Sequence, residues 1–424
     1  MNRIVLIGNG FDLAHGLPTR YEDFINWYWA QCGKQLRSAS GKVVQDTFCS
    51  FTLKENVRLA GWSLIWAYHY HIHPTRYSHK ELAEIAKKKN AICEFKVHSV
   101  FFSRICTAIE SKGWVDIERE YYDLLREVVF KPDSGEYTLF KLNEDLRYAQ
   151  ELLTQYLSEV TNVSINCDDR IRQHVYECIR KNDICISQLS KYYEYVDYLI
   201  KHSKDKYPRL LCRYNIDTPD RHCLTEGIKR LGHFSKPEDI KETYLSDLIL
   251  PENIMFLNFN YTEVADKYGL EKVSTMIHIH GKLNSPESMI FGYGDELDDE
   301  YKNLLKTSNN ECLKNIKSIR YLESSNYRKL LEYIESAPYQ VYIMGHSCGN
   351  SDRTLLNTLF EHPNCVSIKP YYYQKEDGSD NYMEIVQNIS RNFTDMKMMR
   401  DRVVNKTFCE PLPQTTNNGT TDKC

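Results

Sequence analysis

Residues 1–24 read MNRIVLIGNGFDLAHGLPTRYEDF, and the rest of the chain is best read outward from them. Four β-favouring residues, Ile4-Val5-Leu6-Ile7, run directly into Gly8-Asn9-Gly10. After a short loop come Gly16-Leu17-Pro18-Thr19 and then an aromatic, amphipathic run. A buried strand that ends in a glycine turn and opens toward a helix suits an anion, because no side chain blocks close approach and backbone N–H groups point outward. The turn is expected to hold the phosphates of a nucleotide, with Gly8, Asn9, Gly10 and Phe11 as contact residues. Tyr21, Phe24, Ile25 and Tyr28 then fall at helical spacing over 21–31, with Thr19 and Glu22 spaced as a capping box.

Short apolar runs recur at 253–260, 275–279, 289–291, 340–344 and 365–373, and helical patterns separate them at 262–270, 325–336, 353–361 and 380–393. Strands alternating with helices predict an α/β fold on a Rossmann-like parallel sheet. Further helical patterns cover 113–129, 139–161 and 170–204, while 33–65 reads as loop with at least one short helix. The expected division is a first part of the α/β domain at 1–65, a large, mostly helical insertion at 66–245, a second part at 246–406 and a disordered tail at 407–424.

A net charge of −4 gives no bulk positive field for nucleic acid or an anionic membrane. The opening apolar run is too short for a signal peptide, and no later run reaches the ~18 apolar residues of a membrane span. The expected location is the cytoplasm. The 14 cysteines include no C-x-x-C pair and read as buried thiols, so no metal is expected. His69, His71 and His73 alternate as strand-borne metal ligands would, but no carboxylate or cysteine cluster lies nearby to complete a site. The lysines and arginine of 80–104 (Lys80, Lys87, Lys88, Lys89, Lys96, Arg104) read as a solvated helix face before a nucleic-acid patch.

Four stretches lie at expected strand ends: Gly8–Asp12, Asn258-Phe259-Asn260-Tyr261-Thr262, His278-Ile279-His280-Gly281 and Gly345-His346-Ser347-Cys348-Gly349-Asn350-Ser351-Asp352. Ligands of open parallel sheets bind beyond the carboxyl ends of strands, where such loops converge. These motifs, with GWVDIE and IFGYGDELDDEY, resemble the AbiH family of bacteriophage abortive-infection proteins in the same order from residue 3 to about 362. The resemblance implies a role in stopping phage propagation, with an unidentified phage-derived trigger.

A fainter resemblance is to sirtuins, in which a glycine turn is followed by G-I-P, then T-Q-N-I-D with a catalytic Asn, then an H-G pair. Here Gly16-Leu17-Pro18 follows the turn, and His280-Gly281 lies twenty residues beyond Asn260. Phe259, Thr262 and Asp12 depart from the sirtuin pattern, and the zinc-binding cysteines of sirtuins have no match. The resemblance implies NAD as ligand or substrate and hydrolysis before deacetylation. Asn260 would position water or the ribose hydroxyls, His280 would accept a proton, and Asp12 would bind ribose or stabilise positive charge at C1′. Asp352 or Ser347 would hold the adenosine end, with Asn258 and Gly345 in the same shell. The acidic loop 292–298 suits ribose hydroxyls or Mg²⁺, and equally a solvated turn. GHSCG, at 345–349, is not read as a serine nucleophile elbow. Two function classes follow: an NAD-hydrolysing effector, and a nucleotide sensor whose helical region acts on nucleic acid or a protein partner. A homo-oligomer is compatible with both.

Overall fold

The computed structural model describes residues 1–38, 43–53, 93–112, 116–130 and 137–415. Among them are eight strands: β1 (Asn2–Ile7), β2 (Val43–Gln45), β3 (Cys49–Leu53), β4 (Cys93–Val97), β5 (Ile254–Asn258), β6 (Ser274–His278), β7 (Tyr339–Met344) and β8 (Cys365–Tyr371). Five of them form one parallel sheet in the order β6-β5-β1-β7-β8. The remaining three form an antiparallel sheet in the order β2-β3-β4.

β1 is central and buried along its whole length. Successive side chains of a strand face opposite sides, so its unbroken apolar run makes sense only if both sides are covered. Ile4 and Leu6 belong to a core with Leu330, Leu355, Leu356 and Ile389, from helices Asn326–Ser336, Arg353–Phe360 and Tyr382–Arg391. Val5 and Ile7 belong to a second core with Phe11, Ile171, Val175 and Tyr268. Each buried aliphatic side chain contributes on the order of 1.5–3 kcal/mol.

The chain divides into two compact units, one of residues 1–17, 163–290 and 320–424, the other of 18–162 and 291–319. The first holds the parallel sheet and the second the antiparallel one. The expected insertion at 66–245 is thus shared: its residues up to 162 lie in the second unit and those from 163 in the first. There Tyr192, Val196, Leu199 and Tyr207 pack with Met1 and Val366.

Several local expectations change. No strand forms at 289–291; Ile290 N–H donates to the His280 carbonyl at 2.9 Å and the Ile290 carbonyl accepts from Tyr261 Oη at 3.0 Å, so the segment is tethered outside a ladder. The run 170–204 breaks into helices Asp169–Tyr176 and Leu189–Lys201, because the connection turns Glu177 and Asp183 toward fully buried Lys369 of β8, at 3.6 and 3.2 Å. Helix Tyr21–Ser38 begins one residue later than the expected box: Arg20 C=O accepts from Phe24 N–H, and Asp23 returns a carboxylate to Arg20 N–H at 3.1 Å. The 262–270 pattern yields only a short 3₁₀ turn, Ala265–Tyr268. The 33–65 segment contains β2 and β3, and 80–104 contains β4 before helix Val100–Lys112, so the basic stretch is not one helix. His69, His71, His73 and Lys80–Lys89 lie outside the described residues. The expected tail is packed as far as residue 415: Leu412 is buried, and Thr415 N–H donates to the Ala14 carbonyl at 2.8 Å. No helix among the described residues is long and apolar enough to cross a membrane.

Candidate active site

After β1 the chain moves to β5 and β6 on one side, then returns to β7 and β8 on the other. The crossovers reverse direction at β1, which makes the carboxyl ends of β1 and β7 a switch point where ligands of open sheets bind. All four loops singled out above sit at this edge. Hydrogen bonds join them directly.

The glycine turn meets the loop after β7 backbone to backbone. Gly8 N–H donates to Met344 O, Gly10 N–H donates to Gly345 O at 2.8 Å, and Phe11 N–H donates to Gly8 O at 2.8 Å. A Cβ on Gly10 would lie 2.8 Å from Gly345 Cα, and one on Gly345, where φ is +79°, would lie 2.0 Å from Phe11 N. These glycines permit contact between loops, and the expected phosphate donors at Gly8, Gly10 and Phe11 are already spent. The six-residue helix that follows, Asn9–Ala14, is correspondingly short. The sequence pattern of a phosphate turn is present, but its N–H groups do not fit a pyrophosphate in this arrangement. Asn9 remains exposed at the rim.

The loop after β5 binds the other side of the turn. Asn260 Nδ2 donates to Gly8 O at 3.0 Å, while its own N–H donates to Asn258 Oδ1 at 2.9 Å. Asn258 therefore shapes its loop and also reaches Thr262 O at 3.1 Å; it is fully buried, so its role is to position Asn260. Thr262 Oγ1 donates to Asp12 Oδ2 at 2.6 Å. Asp12 is 2% exposed, and its Oδ1 has no hydrogen-bond partner among the described residues. Burial pushes its carboxyl up to about 7; the Thr262 hydroxyl and the Asn260 amide pull it down by less. An acid titrating near neutrality at a strand end is a candidate for proton or charge chemistry.

A second cluster lies across the same edge. His280 Nε2 is 3.3 Å from Asp352 Oδ1 and 3.3 Å from Tyr321 Oη. His346 Nε2 is 3.5 Å from Asp352 Oδ2, and its Nδ1 accepts from Cys348 N–H at 3.0 Å. That bond fixes the His346 tautomer with its proton on Nε2, toward the carboxylate. Phe259 packs against both imidazoles, with ring centroids at 5.3 and 4.2 Å. Cys348 takes φ +55°, a left-handed conformation that non-glycine residues rarely adopt, and Asn392 holds its carbonyl at 2.9 Å.

Asn260, Asp12, His280, Gly345 and Asp352 are thus gathered at one edge of one unit. Asp352, expected at the adenosine end, is instead the shared partner of two histidines. Ser347 is exposed at the rim, its carbonyl accepting from Asn388. The acidic loop 292–298 lies in the other unit and is internally engaged: Asp295 accepts from Leu297 N–H at 3.1 Å, and Asp298 accepts from Tyr122 Oη at 2.9 Å and caps helix Asp299–Leu305. Sequence reasoning missed Thr262 and Tyr321, and weighed His346 only as part of a serine elbow. Polar residues near strand ends were the available signal, but their partners lie far away in sequence.

The family model for bacteriophage abortive infection AbiH matches residues 4–373. No curated protein and no solved structure matches the chain. The family match spans β1 through β8 and includes all four loops of the site, so the chain belongs to the AbiH family of bacteriophage abortive-infection proteins.

Proposed function

We propose that this AbiH chain serves phage defence by binding a nucleotide at the carboxyl edge of its parallel sheet and cleaving the nicotinamide–ribose bond of NAD. The observation that carries this reading is the Asn258–Thr262 loop, which sets half-exposed Asn260 over the glycine turn and bonds Thr262 to buried Asp12. The strand order and its switch point support a nucleotide.

Cleavage at C1′ builds positive charge on the ribose, and an anionic Asp12 in a dry site would stabilise it strongly. Asn260 would orient the attacking water. His280, its imidazolium form balanced by Asp352, would take the water's proton as the new C–O bond forms, while the electron pair of the C–N bond leaves with neutral nicotinamide. Because the turn's N–H groups are occupied, contacts to the phosphates would fall to side chains of the rim such as Asn9 and Ser347.

The test is purified chain incubated with NAD, with product separation for nicotinamide and ADP-ribose. Product should form and be lost in Asn260→Ala and in His280→Ala, with both variants folded by circular dichroism. Nucleotide binding without product, from resting and phage-activated protein alike, would remove the hydrolytic reading.

A further inference from the structure

The unit that holds the antiparallel sheet has its own cluster of ligand-type side chains. Cys32 comes from helix Tyr21–Ser38, Asp46 from the turn between β2 and β3, and Cys49 from the first position of β3. The two sulfur atoms and a carboxylate oxygen all lie within 4.8 Å of one another. Tetrahedral zinc, with Zn–S of about 2.3 Å and Zn–O of about 2.0 Å, needs ligand separations of about 3.3–3.8 Å. The present separations exceed these by at most roughly 1–1.5 Å, which small side-chain shifts close.

The surroundings are those of a supported site. Asp46 Oδ1 accepts from Phe48 N–H at 2.7 Å and from Cys49 N–H at 2.8 Å, which fixes the carboxylate. Its Oδ2 accepts from Tyr28 Oη at 2.8 Å, and the same hydroxyl is 2.9 Å from Cys49 Sγ. Both thiols are buried, and Tyr28, Phe48 and Phe102 form an aromatic wall beside them. Among the described residues no cation pairs with Asp46. Outer donors that orient a carboxylate beside two thiols are what a thiolate–carboxylate metal centre requires.

We propose that Cys32, Asp46 and Cys49 bind a zinc ion, with the fourth position taken by water and Tyr28 as an outer-shell donor. Binding releases the two thiol protons to solvent and joins the helix to the β2–β4 sheet. Two sulfurs and one carboxylate favour zinc over magnesium or calcium, which prefer all-oxygen sets. The site is separate from the carboxyl-edge cluster and does not depend on the reaction proposed there.

The experiment uses full-length chain purified with thiols reduced. Elemental analysis should find about one zinc per chain. Chain stripped with chelator and titrated with Co²⁺ should develop thiolate-to-cobalt charge-transfer bands and intense tetrahedral d–d bands. These should vanish in Cys32→Ser and Cys49→Ser, and the apparent affinity should fall at least ~10-fold in Asp46→Asn, which keeps both thiols. If the serine variants fail to fold, the wild-type spectrum and the Asp46→Asn shift decide the matter. Wild-type chain with no zinc and no cobalt–thiolate bands overturns the proposal. So do bands that survive in either folded serine variant, or a Cys32–Cys49 disulfide as the isolated form.

Discussion

Replacing Asp12 with Asn should change the pH dependence of stability by an amount that follows from its surroundings. The carboxyl titrates at about 7 in the folded chain against 3.8 when unfolded. The folded state therefore holds this proton more tightly. Stability is unaffected below pH ~4, falls as pH rises toward ~7, and stays reduced above it. At 1.36 kcal/mol per unit the full cost is about 4 kcal/mol; it is about 1.7 at pH 5 and about 4.3 at pH 8. Asn keeps an acceptor for Thr262 but places an NH₂ where Oδ1 now has no partner, a loss of about 1–2 kcal/mol at every pH. The variant should therefore be similar to wild type at pH 5 and about 2–3 kcal/mol more stable at pH 8. The five tryptophans lie between residues 27 and 114, within the other unit, so unfolding in urea should be followed by far-ultraviolet circular dichroism. A difference between the two proteins that stays constant within ~1 kcal/mol from pH 5 to 8 would refute the assignment of this carboxyl.

If Asp12 acts as the anion in NAD cleavage, nicotinamide release should rise with pH through about 7 and disappear in Asp12→Asn, even though that variant is the more stable protein. Gly345→Ala should cost at least ~3 kcal/mol, since the new methyl meets Phe11 N at 2.0 Å and the residue must hold φ +79°; urea midpoints by circular dichroism measure it. In the other unit, Lys317→Met should cost about 3–5 kcal/mol by leaving buried Glu118 without its ammonium partner at 2.6 Å, and adding Glu118→Gln should recover much of the loss, read by tryptophan fluorescence.

The parallel sheet was legible because its strands are covered on both faces and so appear as apolar runs. β5, β6, β7 and β8 begin within a residue of their expected positions, and β1 begins two residues before the Ile4–Ile7 run. Helices Leu139–Val160, Asn326–Ser336, Arg353–Phe360 and Tyr382–Arg391 were equally plain, each carrying an apolar stripe at helical spacing. Where long-range partners overrode local pattern, the reading failed. Glu177 and Asp183 interrupt a helical run because Lys369, nearly two hundred residues later, needs their charge. The strands β2 and β3 are short and half polar, and the pairing of β3 with β4 crosses some forty residues, so no local period marked them.

The glycine turn shows the same limit at the site itself. A G-x-G after a strand reads as a phosphate cradle because glycine removes the obstacle to close approach, yet the pattern does not say what approaches. Here it is Gly345, whose carbonyl takes the Gly10 N–H that a phosphate would have used. What survives is the convergence of loops, and within it two unlike acids. Asp352 is accompanied by two imidazoles, an arrangement that stabilises its charge. Asp12 has the Thr262 hydroxyl and a lesser pull from the Asn260 amide, and its Oδ1 has no hydrogen-bond partner among the described residues, so burial dominates and its charge is costly. A purely structural position would be better filled by Asn or an apolar residue, since replacing an uncompensated buried charge gains stability. That a carboxylate stands there, beneath Asn260 and at the edge where ligands of such sheets bind, is the strongest physical reason to look for chemistry at Asp12 first.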